Sequence, residues 1–445
     1  MKISNWGNYP VVNSELFAFR NDEQLKHTLA TSESLISRGM GRCYGDSALN
    51  GTMIVSTKHF DRFISFDKST GELVCEAGVT IEDILDVFVP RGWFLPVTPG
   101  TKYVSIGGAI GSDVHGKNHH ESGTFSRHVN WMDVMTADGC ILRCTPSENA
   151  ELFWGMSGGQ GMLGVVLRAS INLVRVSSSF IKQETVKASN LFEAMKHFEE
   201  SENSTFSVAW IDCLQGGSGL GRSVLMRGDF VAAEELPKKQ KQQALTVPDK
   251  RKLNIPVNFP SLALTSLSVR AFNALYYGKA PKKSTEQIVD YDTFFYPLDA
   301  IYNWNKIYGR RGFTQYQFVL PKEASAEGLT EILSKISASG QGSFLAVLKL
   351  FGKGDKGTIS FPREGYTLAL DFPVTSSLFP LLDELDAMVL DYGGCHYLTK
   401  DSRLPEGVFD KGYGKAANAF RELKAKWDPS NKFKSLQSIR LGIGE

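Results

Sequence analysis

The sequence predicts an α+β protein of two domains, the second built on an antiparallel sheet with helices on one face. Three observations carry that expectation. The chain has 445 residues, whereas single hydrophobic cores stop growing near ~250–300. Strand-like and helix-like runs mix without the strict strand–helix–strand order that builds a parallel sheet. Glycine becomes rarer after Ile171-Asn172-Leu173, so a first domain over 1–176 is expected to give way to a second beginning at 177.

The elements follow in order. Glu23 to Ala30 reads as a helix, and Leu35 to Ser37 as a strand running into a glycine-rich loop. Ile64 to Phe66 and Leu73 to Ala77 read as strands joined by the turn Lys68-Ser69-Thr70-Gly71. Thr80 opens a helix with Ile84, Val87 and Phe88 on its apolar face, ending before Arg91-Gly92. Pro96 to Gly123, dense in Gly, Ser, His and Thr, is expected to be a long irregular loop of the kind that carries function. Further on, Leu191 to Glu200 is expected as helix, and Phe206 to Ile211 and Ser223 to Arg227 as strands. Segment 237–283 joins a basic run around Lys238, Lys239 and Lys241 to apolar residues including Phe259, Leu262, Leu267, Phe272, Leu275 and Tyr276. It reads as a mobile surface element, suited either to an anionic lipid surface or to plain solvation. Strands at Thr314 to Val319, Phe344 to Phe351 and Tyr366 to Phe372, with helices at Ala326 to Ile336, Phe379 to Asp391 and Lys415 to Lys426, complete the expectation.

Composition excludes several classes. Forty-nine basic residues against forty-eight acidic ones give a net charge of +1, which leaves no bulk attraction for nucleic acid. No stretch approaches the ~18 apolar residues of a membrane span, and Met1 to Phe17 lacks a signal-peptide pattern, so a cytoplasmic protein is expected. The six cysteines are too sparse for a disulfide scaffold. Cys140 and Cys144 have no second pair that would complete a zinc site.

Chemistry concentrates in the glycine-rich turns. Arg38-Gly39-Met40-Gly41-Arg42-Cys43-Tyr44-Gly45-Asp46 puts backbone N–H groups and two guanidinium groups where a pyrophosphate would fit. It is not a dinucleotide fingerprint, since Tyr44 stands where the third glycine belongs. Pro99-Gly100-Thr101, Ile106 to Gly111 (with Gly107 and Gly108), and Ser157 to Val166 (with Gly161, Gly164 and Val165) are further such turns. Together they suit one extended, phosphate-bearing cofactor. His115 and His119 have the i, i+4 spacing of a helical zinc pair, but Gly111 and Gly116 argue against a helix, and hydrogen bonding within the loop is expected of His119 and His120. Strand alternation puts Gln315 and Gln317 on one face, where two amides would hold sugar hydroxyls, and Tyr316 and Phe318 on the other. Lys349 sits in an apolar run, so its ammonium needs either an anionic ligand or a carboxylate partner. Thr367 and Ala369 share a strand face toward the same pocket.

The ordered set R-G-x-G-R-x-Y-G-D, P-G-T…G-G-A, D-x-H-G-K-N-H-H and G-x-L-G-V-V resembles flavoproteins of the vanillyl-alcohol-oxidase type, and within them the decaprenylphosphoryl-β-D-ribose 2′-oxidase family. Tyr296-Pro297-Leu298-Asp299, Lys349-Leu350-Phe351-Gly352, Asp371-Phe372-Pro373 and Thr399-Lys400-Asp401-Ser402-Arg403 extend the resemblance over the whole chain. It implies an FAD domain from the N-terminal part and the tail 396–445, with a substrate domain over 177–395 inserted between. It further implies that Arg38 to Gly45, Pro99 to Thr101, Gly107, Gly108, Gly111, His115, Asn118, Gly161, Gly164, Val165 and Lys400 line FAD. The relatives' covalent flavin links use a histidine or cysteine; Arg42 and Ser105 to Gly107 supply neither, so non-covalent FAD is expected.

What the resemblance implies for chemistry is hydride transfer from a sugar secondary alcohol to FAD. The implied substrate is a polyprenyl-phosphoryl ribose, oxidised as the first half of an epimerisation in cell-envelope polysaccharide synthesis that a short-chain reductase partner completes. His115 or Lys400 would deprotonate the hydroxyl, with Tyr397 beside them; Lys400 would also steady reduced flavin. Tyr44, Lys117, Gln315, Gln317, Lys349, Thr367 and Ala369 would position substrate. Thr367 and Ala369 depart from the asparagine and cysteine of the family. The competing expectations are a flavin oxidase of a soluble polyol or aldonolactone and, without flavin, a metal-binding protein using the histidines. Peripheral contact with the inner face of a membrane through 237–283 belongs to the main reading.

Overall fold

The computed structural model describes residues 1–201, 203–260 and 264–444. Among them, Glu15–Ala18, Met53–Ser56 and Leu35–Arg38 form a small parallel sheet with Met53–Ser56 in the middle. A five-stranded antiparallel sheet runs Ile141–Cys144, Val129–Met135, Val165–Asn172, Glu72–Glu76 and Phe63–Phe66. The largest sheet has eight antiparallel strands, in the order Thr285–Asp290, Phe180–Ala188, Ser223–Phe230, Phe206–Ile211, Ala346–Phe351, Gly365–Pro373, Phe313–Pro321 and Cys395–His396. Its last strand straddles the expected domain edge at 395.

Alternation makes the large sheet two-sided. Tyr316, Phe318, Leu348, Leu368 and Leu370 pack against helices Leu191–Glu199, Ser325–Ser339 and Leu378–Asp391. Each such buried Leu or Phe contributes roughly 1.5–3 kcal/mol. Gln315, Gln317, Lys349, Thr367 and Ala369 point the other way, into a cavity. Helices and strands thus divide the sheet into a structural face and a working one.

Two expectations need correction. The stretch 96–123 is not all irregular: Ile106–Gly111 and His119–Ser122 are short helices. Glycine content hides the first from propensity, but Ser105 Oγ accepts from Gly108 N, and the Ile106 and Gly107 N–H groups donate to Val79 and Ala77 carbonyls at 2.8 Å. A Cβ at Gly107 would stand 3.0 Å from that of Ala77, so glycine is what lets this helix approach the sheet. The segment 237–283 carries an ordered helix, Ser266–Lys279, started by a reciprocal Thr265–Ser268 cap. Val269 and Asn273 anchor it, while Leu267 is 78% and Leu275 66% exposed. Leu262 lies outside the described residues.

After the large sheet the chain returns to its beginning. Phe433 joins Phe19, Leu25, Leu29 and Leu35 in one core, and Lys434 N donates to Leu35 O at 2.9 Å. Lys424, buried, pairs with Asp428 at 2.5 Å and donates to the Met162 and Phe433 carbonyls. Arg440 forks between two carboxylates, meeting Asp46 at 2.8 and 3.1 Å and Asp401 at 2.8 Å. Asp46 closes the first glycine loop and Asp401 follows Lys400, so the one guanidinium joins three distant segments. At Gly45 a Cβ would fall 1.8 Å from Asp401 O, so the loops touch through bare backbone. Removing one partner of a buried ion pair costs ~3–5 kcal/mol. Arg440→Met is therefore expected to lose about that much in denaturant unfolding, and Arg440→Lys to recover only part of it because an ammonium cannot fork.

Candidate active site

The glycine loops and the working face of the large sheet enclose a cavity of about 650 Å³, within the range of small-molecule and cofactor sites. One end is bounded by Gly39 to Tyr44, Pro99 to Thr101, Gly107, Gly108, Gly111, Gly161, Gly164 and Val165. Met40, Gly41, Arg42 and Cys43 donate no backbone N–H bond among the described residues. Thr57 Oγ1 and His115 Nδ1 on the wall are likewise buried without a partner. Unclaimed donors of this kind fit the phosphates and polar ring edge of a dinucleotide-sized cofactor such as FAD. The Arg42 guanidinium lies 4.1 Å from the Trp6 ring centroid and 4.9 Å from that of Tyr103.

Where the glycine loops meet the sheet, titratable groups converge. Lys400 Nζ sits 4.0 Å from the Tyr44 ring centroid. Lys117 Nζ donates to the Phe294 and Phe295 carbonyls at 2.7 and 3.1 Å. Among the described residues, Lys117, Lys349 and Lys400 form no ion pair within 4.0 Å, and all three line the cavity. Burial pushes Lys117 down to about 7, helped by Lys349. Lys349 falls to about 8 through burial and the nearby Lys400, and Lys400 to about 8 through burial, with Asp371 opposing. Burial and Lys349 hold His115 well below the usual imidazole range, so it is a neutral ring able to accept a proton. Its Nε2 faces Gln317 Nε2 at 3.4 Å, and its ring packs on Phe351 and Tyr397. Tyr397 stacks on Phe361 at 4.7 Å and donates to Ser112 O at 2.8 Å.

The cavity continues as an apolar arm. Val208, Trp210, Met226, Phe344 and Val347 line this apolar part, together with Phe272 and Tyr276 of the helix Ser266–Lys279. Those two side chains are also 44% and 38% exposed, so the arm ends at the protein surface beside Leu267 and Leu275.

Three expected cofactor residues do not line the cavity. Arg38 turns away to Asn5 and the Ser4 carbonyl. Gly45 packs on Asp401, and Asn118 is spent on Pro96 O and Ser122 Oγ at 2.8 and 2.9 Å. The His119 ring makes no hydrogen bond among the described residues; it packs on the Phe351 ring, and burial lowers it to about 4. His120 bonds outside the loop, to Ser204 O. No group of three or more His, Cys, Asp or Glu side chains arranged to hold a metal occurs among the described residues. Sequence reading missed Trp6 and Thr57 on the wall, and the apolar residues Val208 and Trp210. The period-2 pattern of Phe206–Ile211 contained a signal for the last two; nothing local marked the others.

A family model described as an FAD binding domain matches residues 17–145. The chain is 36% identical over 413 residues to decaprenylphosphoryl-beta-D-ribose oxidase of Mycolicibacterium smegmatis, covering 92% of this chain and 89% of that one. It is 31% identical over 375 residues to an uncharacterized protein of Streptomyces coelicolor, covering 82% and 100%. Bovine (Bos taurus) L-gulonolactone oxidase is 28% identical over 217 residues, or 46% and 48% of the two chains.

Lysines depressed by burial bind fewer protons folded than unfolded above about 7, so the stability they cost is fully present below about 7, shrinks as pH rises through their folded values near 8, and is gone only above the ordinary lysine value of ~10.4. An anion in the cavity offsets that cost only while they are charged. Inorganic pyrophosphate is therefore expected to raise the melting temperature of the flavin-free protein more at about pH 6 than at about pH 9. Equal shifts at both would mean the lysines are not the anion's partners.

Proposed function

The chain belongs to the decaprenylphosphoryl-β-D-ribose oxidase family of FAD-dependent oxidoreductases, and on that premise we propose that it oxidises the 2′-hydroxyl of a polyprenyl-phosphoryl-β-D-ribose to a ketone. The observation that carries the reading is the lining of the cavity: cationic and amide-bearing side chains share one space with an apolar group of residues that includes the half-exposed Phe272 and Tyr276. A soluble sugar has no use for the arm. A phosphoryl group between sugar and prenyl chain would meet Lys349 and Lys117, and the chain would leave past Trp210, Phe272 and Tyr276.

FAD, when bound, takes the carbinol hydrogen with its electron pair. The hydroxyl proton leaves separately, and His115, neutral and facing the cavity, or Lys400 in its uncharged form, receives it. In its charged form Lys400 instead steadies negative charge gathered beside the glycine loops. Gln315 and Gln317 hold sugar hydroxyls, Thr367 and Ala369 shape the floor beneath them, and Tyr44 and Tyr397 wall the centre against water. We propose that Met40 to Tyr44, Pro99 to Thr101, Gly107, Gly108, Gly111 and Gly161 to Val165 hold the cofactor without a covalent bond. The division at 176 and 395, a short-chain reductase that consumes the keto product, and contact of 237–283 with an anionic membrane surface are part of the same reading. No helix among the described residues is long and apolar enough to cross a membrane.

Adding polyprenyl-phosphoryl ribose without air is expected to bleach the flavin absorbance of the purified protein. Bleaching by soluble polyols or aldonolactones, with none by the lipid-linked sugar, would replace the substrate assignment. Denaturation should leave a colourless chain, with all the flavin in solution. For the membrane contact, Leu267→Glu with Leu275→Glu is expected to abolish cosedimentation with vesicles rich in anionic phospholipid. It should raise KM for a long-chain substrate while leaving a short-chain analogue unaffected.

A further inference from the structure

Asp371 shares the cavity-facing row of its strand with Thr367 and Ala369 and stands directly opposite Gln315 in the strand pair. It is fully buried. One carboxyl oxygen accepts from Gln315 Nε2 at 2.5 Å, and the other has no hydrogen-bond partner. The titratable groups that act on it come from three elements: Lys400 from the turn after the last strand, Tyr308 from the 3-10 helix Trp304–Tyr308, and Tyr44 from the first glycine loop. Lys400 acts in turn on Lys349. A buried acid with a free oxygen is expensive, and none of the roles assigned above requires one here.

The cost has an outlet in the amide opposite. An amide has a donor end and an acceptor end, whereas an ionised carboxylate only accepts. Ionised Asp371 therefore claims Gln315 Nε2 and leaves Oε1 for the cavity. Protonated Asp371 offers an O–H that Oε1 can take, which turns the NH₂ outward. One proton thus decides whether this point of the wall accepts or donates. A hydroxyl about to lose its proton is best met by an acceptor.

We propose that Asp371 is a positioning residue for the substrate: ionised, it holds Gln315 with its carbonyl oxygen toward the cavity, where that oxygen accepts from a sugar hydroxyl, and protonated, it releases the amide to the reversed orientation. The inference rests on the sugar-alcohol reading above. Burial holds the carboxyl up to about 7, with the Gln315 bond and Lys400 opposing, so the exchange falls within a working pH range.

Two measurements on the FAD-loaded enzyme test this: KM for polyprenyl-phosphoryl ribose across pH, and the infrared carbonyl stretch of a protonated buried carboxyl without substrate. The wild type is expected to show KM rising as pH falls through about 7, with the infrared band growing over the same range. Asp371→Asn removes the band and flattens the KM profile, and it raises KM about tenfold, the loss of one substrate hydrogen bond, while the flavin spectrum and melting temperature hold. Gln315→Leu leaves Asp371 in place. It also flattens the KM profile, but its infrared band persists with a higher midpoint because the carboxylate has lost its donor. A KM limb that survives in either variant, or an infrared midpoint unmoved by Gln315→Leu, would overturn the proposal. If the ribose lipid fails to reduce the wild type, the substrate reading is what fails, and the infrared midpoints still decide the Asp371–Gln315 coupling.

Discussion

The fork of Arg440 between Asp46 and Asp401 is the constraint on which the rest of the cavity depends. Tyr44 precedes Asp46 by two residues and Lys400 precedes Asp401 by one. Tying the two carboxylates to one guanidinium sets the ammonium against the tyrosine ring, and Tyr44 N donates to Thr399 O at 3.0 Å in the same junction. Asp401 also accepts from the Arg403 and Leu404 N–H groups at 2.9 and 2.8 Å. The planar group matters because it satisfies both acids in fixed directions. The large sheet contributes the amides, but the loops that face them are registered by this buried knot.

Around it the protein tolerates charges that are poorly matched within the fold. Three lysines line one space and, among the described residues, none forms an ion pair within 4.0 Å, while an acid at the edge keeps one oxygen unpaired. Such groups are costly in a folded chain, and perturbed titration clusters at sites where chemistry occurs. The structural ion pairs lie elsewhere: Lys102 with Asp292, Arg222 with Asp212 and Arg403 with Asp386 all sit outside the cavity wall or turn from it. The protein thus separates charges that stabilise it from charges that await a ligand.

Much of this arrangement was legible in the sequence, for physical reasons that differ by element. The period-2 pattern around Gln315 and Gln317 survives because the opposite face must be apolar to pack on helices, so the two amides had one place to go. The glycine loops were legible because few other uses explain so many glycines between strands. The helix Ile106–Gly111 was not, since its stability comes from Ser105 and from N–H bonds to the turn that follows Glu72–Glu76 rather than from its own side chains. Arg38 and Asn118 sit in motifs yet serve the loops themselves, because a motif fixes backbone course without stating where each side chain ends. The apolar arm was invisible for a further reason: its walls come from strands and a helix far apart in sequence, and only their assembly makes a channel.

Arg440 is 394 residues beyond Asp46, and Phe433 completes the core that the first forty residues begin. At ~5–20 residues per second of synthesis, the two ends of the knot are made roughly 20–80 s apart. Throughout that interval the first glycine loop lacks its mate and the intervening strands must fold beside an unfinished neighbour. The loops that Arg440 joins therefore stay apart until its segment has been made. That segment is the latch between them, which makes it the wrong place to cut.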